Sequence, residues 1–381
     1  MKINNENGVK GIFLVIFCIS IFLFTRSNGY NILPFSNNIM LYLYSVIGSI
    51  VILYLSTSRI KLKAIDILCL VYFIYNLLWL LVTSKTKNIE TIYLFFFLAM
   101  LYINIRNISS IYYKYILYSF PFIVISHFIY YICWENPYYF LYEHKGVFTG
   151  FLHNSGLWGE FVAMTLICNI GLIHLNKKSK KTSTLLIFVS FIVSFMLYES
   201  DSRASWLSFA IGILTFFSPL IIKHLPKSII IRTGSLLILI CLCTYLISGL
   251  YSYKKDSADG RILIWKISLE MVKDKPILGY GFDGFRKNYM NYQAAYLQEK
   301  QLPETINNLA DDNHHAFNEF LRIIIEQGII GVIILFIFLT TIGYTIYKYK
   351  LYIDTVSRTI ISCLTALLFF SFFSYPLSTF H

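Results

Sequence analysis

Two aspartates, two histidines and two asparagines crowd into DDNHHAFNEFL, Asp311 to Leu321, just ahead of the apolar run GIIGVIILFIFLTTIGY. A histidine titrates near neutrality and can accept a proton from a hydroxyl, which makes His315 and its neighbour His314 candidate general bases. Complementary chemistry sits elsewhere: Arg203 in SDSRASW, beside Asp201, and Arg261 in DGRILIW. Each arginine is permanently charged and offers a planar fork of donors that fits phosphate oxygens. The bland alternative for each is a snorkelling anchor at a membrane boundary. Two fixed cations plus a base are what a diphosphate leaving group and a hydroxyl nucleophile require. Asp311 or Asp312 can orient or replace the histidine, and Asp201, Asn318 and Arg322 complete the supporting candidates. Glu160, in HNSGLWGEFVAM, is an ionisable group within an apolar run. It is either a functional group or a buried partner for an arginine. His127 and His174 read as packed or interfacial, and His224 as cytoplasmic.

These groups must be positioned by membrane helices. The 381 residues are 57% hydrophobic and 14% charged, against about 25% charged in soluble domains. Apolar runs long enough to cross a ~30 Å hydrocarbon core fall near 11–25, 39–56, 64–83, 89–105, 111–133, 151–175, 184–198, 204–222, 229–250, 326–347 and 359–380. The expected fold is an all-α integral membrane protein of about eleven helices (roughly 10–12) with one large periplasmic loop carrying an amphipathic helix. The first span has no small-residue cleavage site after it and reads as a retained anchor. Lys and Arg concentrate in alternate loops, including Lys177, Lys178, Lys180 and Lys181, which places the N-terminus in the cytoplasm by the positive-inside rule. Arg203, Arg261 and the histidine pair then share the outer face. The net charge of +12 is an insertion signal, because no basic stripe interleaves with a stacking platform for nucleic acid. Seven cysteines lie singly, with no CxxC pair and no disulfide framework.

Residues 251–318 form the one long external loop. Within it Ile262, Trp265, Leu269 and Val272 share a helical face, suited to the bilayer interface. Pro276 ends that helix, and Gly279, Gly281 and Gly284 make a sharp turn. A GxG without a βαβ context is weak evidence for a phosphate loop, so GYGFDG reads as a turn that folds the loop back onto the membrane. Tyr289 to Asn308 reads as a lid over sugars or a solvated connection.

The pieces GVFTGFLHNSGLWGEF, SRASWLSFAIGIL, GRILIWKISLEMVKDKPILGYGFDGF, HHAFNEFLRIIIEQGIIG and FFSYPL together resemble the O-antigen ligase and polymerase superfamily of multi-spanning bacterial glycosyltransferases. The resemblance runs from about Gly146 to Pro376 and divides the chain into 1–145, N-terminal helices, and 146–381, a ligase-like membrane domain. It implies transfer of a glycan from undecaprenyl diphosphate to an acceptor hydroxyl at the periplasmic face of the inner membrane, with neither metal nor cofactor. The acceptor is a glycan or lipid A–core, and a chain-length regulator is a candidate partner. Arg203 and Arg261 are implied to hold the diphosphate, and the histidine of the motif to act as base. Where the family often reads His-x-His-Asn-x-x-Leu, this chain reads His315-Ala316-Phe317-Asn318-Glu319-Phe320-Leu321. The position before Asn318 is therefore Phe, which leaves His315 as the leading base. That departure tilts the expectation toward a repeat-unit polymerase over a ligase. A transporter or flippase of lipid-linked sugars is the alternative from another class, and would place charges at the bilayer midplane in related halves.

Overall fold

A computed structural model describes residues 63–83, 113–130, 148–152, 154–224, 248–300 and 308–377, with a few positions between them. The described residues are helical, with no strand among them. The main elements are α1 (Ala64–Thr83), α2 (Tyr113–Tyr130), α3 (Ser155–Leu175), α4 (Lys180–Glu199), α5 (Arg203–Lys223), α6 (Lys255–Asp274), α7 (Gly284–Lys300), α8 (Glu319–Lys348) and α9 (Thr355–Phe370). Among the described residues five helices are long and apolar enough to cross a membrane: α1, α3, α4, α5 and α8, with α9 apolar but shorter. The spans expected at 11–25, 39–56, 89–105 and 229–250 lie wholly or mostly outside the described residues.

Boundaries follow from capping. Asn154, Ser179, Ser202 and Asp354 each turn a side-chain oxygen onto an amide in the first turn of α3, α4, α5 and α9, satisfying a donor that no helical carbonyl reaches. The central helix is α3, packed on by α2, α4, α5 and α9. Its small residues admit close neighbours; a Cβ added at Gly171 would sit 2.2 Å from Thr359 Oγ1 of α9. In lipid, where burying an apolar side chain gains little over leaving it in hydrocarbon, such close packing is what holds helices together. Trp158, Val162 and Ile167 are fully enclosed, whereas Leu185, Phe188 and Phe191 of α4 point outward as lipid-facing groups.

A second assembly joins α6, α7, the start of α8 and α1. Leu263, Ile264, Ile267 and Met271 of α6 close on Phe285 and Tyr289 of α7 and Ile325 of α8. The expected lid over 289–308 is thus largely the helix α7, with its aromatic residues Phe285 and Tyr289 stacked at 4.7 Å. Helix α6 also has a second apolar side, which packs on protein. Apolar residues occur on both sides of this helix, and the side carrying Leu263 and Ile267 faces protein while Ile262 and Leu269 remain exposed.

Two further boundaries depart from hydropathy. Helix α8 begins at Glu319, seven residues before the expected span, and is interrupted at Gly328. Helix α9 stops at Phe370, and Ser371 to Leu377 fold back as turns instead of continuing to residue 380. Greasy sequence alone did not decide that end. The Ser371 carbonyl accepts the Glu319 amide at 2.9 Å, and Pro376 cannot donate to a helix.

Candidate active site

The floor of the site is a broken helix. At Gly328 the backbone takes φ 64° and ψ −164°, a conformation open essentially to glycine alone. The break exposes carbonyls that the turn after α6 collects. The amides of Tyr280 and Gly281 donate to Ile325 and Glu326 at 2.8 and 2.9 Å, and the Ile329 amide donates to Pro276 at 2.9 Å. Helix α1 seals the other side, with Trp79 Nε1 donating to the Glu326 carbonyl at 3.1 Å and Gln327 Nε2 donating to Asn76 Oδ1 at 2.9 Å. A Cβ at Gly279 would sit 2.5 Å from the Ile325 carbonyl oxygen, so GYGFDG is glycine-rich in order to reach the break. It is a turn that clamps backbone to backbone, and the amides of Gly279, Tyr280, Gly281, Phe282 and Gly284 are already taken.

Above the clamp, the first turns of α8 carry a buried charge trio. Arg322 donates to Glu319 Oε2 at 2.8 Å and to Glu326 Oε2 at 3.0 Å. Glu319 Oε1 accepts the Leu377 amide at 2.7 Å, which draws the chain after α9 across the top of α8. The Asn318 side chain caps α8, accepting the Leu321 amide at 3.0 Å. Asn318 and Arg322 are therefore structural members of this site: one starts the helix and the other neutralises it from within.

The groups proposed for chemistry line one contiguous wall. Tyr375 lies parallel to the His315 ring, 3.8 Å between centroids and 6° between planes. Its other neighbour is Phe317, edge-on at 5.1 Å, and the Arg261 guanidinium lies over the Phe317 ring at 5.2 Å. Phe317 adopts φ 48°, a left-handed conformation unusual for a bulky side chain, held between these two groups. Arg261 also donates through Nη1 to the Phe373 carbonyl at 2.8 Å, and Arg203 donates through Nη1 to the Leu250 carbonyl at 2.6 Å. Burial first, and then the nearby charge of Arg203, push the Arg261 pKa down to about 10; it stays a cation at neutral pH. Burial, and next the adjacent His314, lower the His315 pKa below the usual histidine value, which favours the neutral ring that a base needs.

Residues 188–336 match the family model described as O-antigen ligase. That stretch runs from within α4 to within α8 and includes Arg203, Arg261 and His315. This part of the chain is similar to the O-antigen ligase family. The chain is 34% identical over 175 residues to a protein of Rickettsia conorii (strain ATCC VR-613 / Malish 7) named as a candidate polysaccharide ligase, covering 43% of this chain and 40% of that protein. A Rickettsia typhi (strain ATCC VR-144 / Wilmington) protein of the same description is 32% identical over 193 residues, 49% of this chain and 44% of its own length. An uncharacterized protein of Haemophilus influenzae (strain ATCC 51907 / DSM 11121 / KW20 / Rd) is 28% identical over 193 residues, 46% of each chain. The aligned region thus spans under half the length of these relatives. No solved structure matches the chain.

The remaining candidates fall outside the wall. His314 is exposed and faces Asp312 at 3.7 Å, so Asp312 attends His314 and not His315. Asp201 is paired with Lys254 at 2.5 Å and accepts a 3.2 Å bond from the Tyr253 hydroxyl, tying the α4–α5 turn to the start of α6. Glu160 is buried inside the bundle, where one carboxyl oxygen bonds the Ser208 hydroxyl and the other has no hydrogen-bond partner; neither arginine reaches it. Two residues escaped the sequence reading: Tyr375, hidden in a run that hydropathy assigns to the membrane, and Arg286 of α7, whose charge bears on His315. The only signal for the first was the FFSYPL piece of the resemblance. Among the described residues no group of three or more His, Cys, Asp or Glu is arranged to hold a metal.

Proposed function

We propose that this protein transfers a glycan from undecaprenyl diphosphate to an acceptor hydroxyl, at the periplasmic face of the bacterial inner membrane, with its N-terminus in the cytoplasm. The observation that carries this reading is the contiguous wall of Arg203, Arg261 and His315, two cations and one histidine of lowered pKa beside a membrane bundle. In the reaction, neutral His315 takes the proton of the acceptor hydroxyl as its oxygen attacks the anomeric carbon. The bond to the lipid diphosphate breaks, its electron pair goes to the departing oxygen, and the two guanidiniums stabilise the charge that develops there. Among the described residues each arginine holds main-chain carbonyls through Nη1, which leaves Nη2 and Nε to meet phosphate oxygens. A single displacement inverts the anomeric centre. The acceptor is a growing glycan or lipid A–core, and the membrane supplies the lipid carrier.

Replacing either arginine by Ala in a complemented null strain, at matched protein level, abolishes surface polysaccharide. Intact polysaccharide in both variants refutes the proposal. The same strains separate the two reactions within it. A single repeat unit on core marks a polymerase, the outcome toward which the altered histidine motif leans. Bare core with lipid-linked polymer accumulating marks a ligase, the activity in the names of the Rickettsia relatives.

A further inference from the structure

We propose that Tyr375 is a positioning residue for His315, its ring fixing the plane of the imidazole and its hydroxyl anchored by Asn154 at the start of α3. This rests on the reading of His315 as the base. A parallel stack at 3.8 Å and 6° leaves the imidazole free to turn only within its own plane. Its nitrogens lie in that plane, so the orientation of Tyr375 sets the direction from which a hydroxyl can be deprotonated.

Tyr375 is itself held at several points. Asn154 Nδ2 donates to its hydroxyl at 2.8 Å, while Asn154 Oδ1 accepts the Leu157 amide at 3.1 Å. The cap therefore assigns the oxygen to the helix and the amino group to the tyrosine. Two residues on, the Leu377 amide is fixed on Glu319 at 2.7 Å, and Phe317 packs edge-on against the ring. The base is thus registered to α3 and α8 through Tyr375. The charged and titratable groups facing His315 are His314 beside it, Glu319 and Arg322 from α8, and Arg286 from α7. Arg261 of α6 bears on Tyr375 from the other side. Cover by the tyrosine ring contributes to the burial that keeps the imidazole neutral among these charges.

The test labels the full-length protein in lipid nanodiscs with diethylpyrocarbonate, which acylates neutral imidazole, and reads by mass spectrometry the rate at His315 relative to exposed His314. Loss of the stack in Y375L raises that ratio about 2- to 12-fold, the equivalent of the ~0.5–1.5 kcal/mol typical of an aromatic pair, and moves its acid limb to higher pH. Y375F keeps the ring and raises the ratio less than about twofold. An unchanged ratio in Y375L, or an equal rise in both variants, overturns the proposal. In the complemented null strain, Y375L combined with H315Q is no worse than H315Q alone, because the tyrosine acts through the histidine. Intact polysaccharide in H315Q overturns the base itself. Intact polysaccharide in Y375L alongside its loss in H315Q overturns only the role of Tyr375.

Discussion

Substituting Gly328 by Ala tests whether the broken helix and its clamp hold the assembly of α6, α7 and α8 together. The added methyl would lie 2.0 Å from the Ile277 carbonyl oxygen and 2.3 Å from its carbon, both backbone atoms that no side-chain rotation can move. Alanine must also adopt φ 64°, ψ −164°, a strain of about 1–3 kcal/mol. If the turn is pushed off instead, the bonds from Tyr280, Gly281 and Ile329 are lost at about 0.5–1.5 kcal/mol each. Strain and undocking together come to about 3–7 kcal/mol, enough to open the assembly in a protein of ordinary stability. Thermal unfolding in detergent, with hydrogen–deuterium exchange over the peptide containing Tyr280 and Gly281, reads both effects. The expected result is a lowered Tm and loss of protection confined to the α6–α7 turn and the α8 break. Gly343→Ala is the control, since nothing lies within 4 Å of a Cβ there and alanine favours a helix by about 1 kcal/mol. A Gly328→Ala protein as stable and protected as Gly343→Ala would refute the clamp.

Arg322→Met leaves two buried carboxylates, Glu319 and Glu326, without their cation and should cost about 3–5 kcal/mol. Adding Glu319→Gln and Glu326→Gln should recover most of it, both measured as Tm at matched expression. Glu160→Gln should be tolerated, because an amide keeps a bond to the Ser208 hydroxyl, whereas Glu160→Lys should remove folded protein from membranes; an inactive but well-folded Glu160→Gln would give the carboxyl a chemical role. On the proposed reaction, transfer should stay at full rate through neutrality and fall only below the ordinary histidine pKa of about 6.5, since burial lowers that of His315. The linkage has the same sign: stability from this neutral ring is complete above about 6.5 and is lost as pH falls toward the lower folded pKa. A rate profile breaking above 6.5 would contradict it.

Apolar runs made the bundle legible. The expected spans at 151–175, 184–198 and 204–222 match α3, α4 and α5 closely, because a helix in lipid must be apolar around most of its circumference. That same indifference hid the two features on which the site depends. QGIIGVII reads as continuous membrane helix, although Gly328 breaks it, and the break is visible only once the partner turn is in place. FFSFFSYPL reads as a span end, although its backbone serves Glu319 and its tyrosine covers His315. Arg203, Arg261 and His315 were legible from chemical type and came together as a wall. Arg286 was not, because an exposed arginine on a polar helix carries no mark until α7 is placed beside residue 315. The side of α6 that packs on protein, carrying Leu263 and Ile267, went unread because the apolar side suited to the bilayer interface already accounted for the helix.

The carbonyls that hold Arg203 and Arg261 bear on how such a site would empty. Each guanidinium is tethered at one end by main chain, so it does not need an anion to keep its place. On the proposed reaction, a spent lipid diphosphate would leave without dragging either side chain out after it, and the next donor would meet a cradle already set.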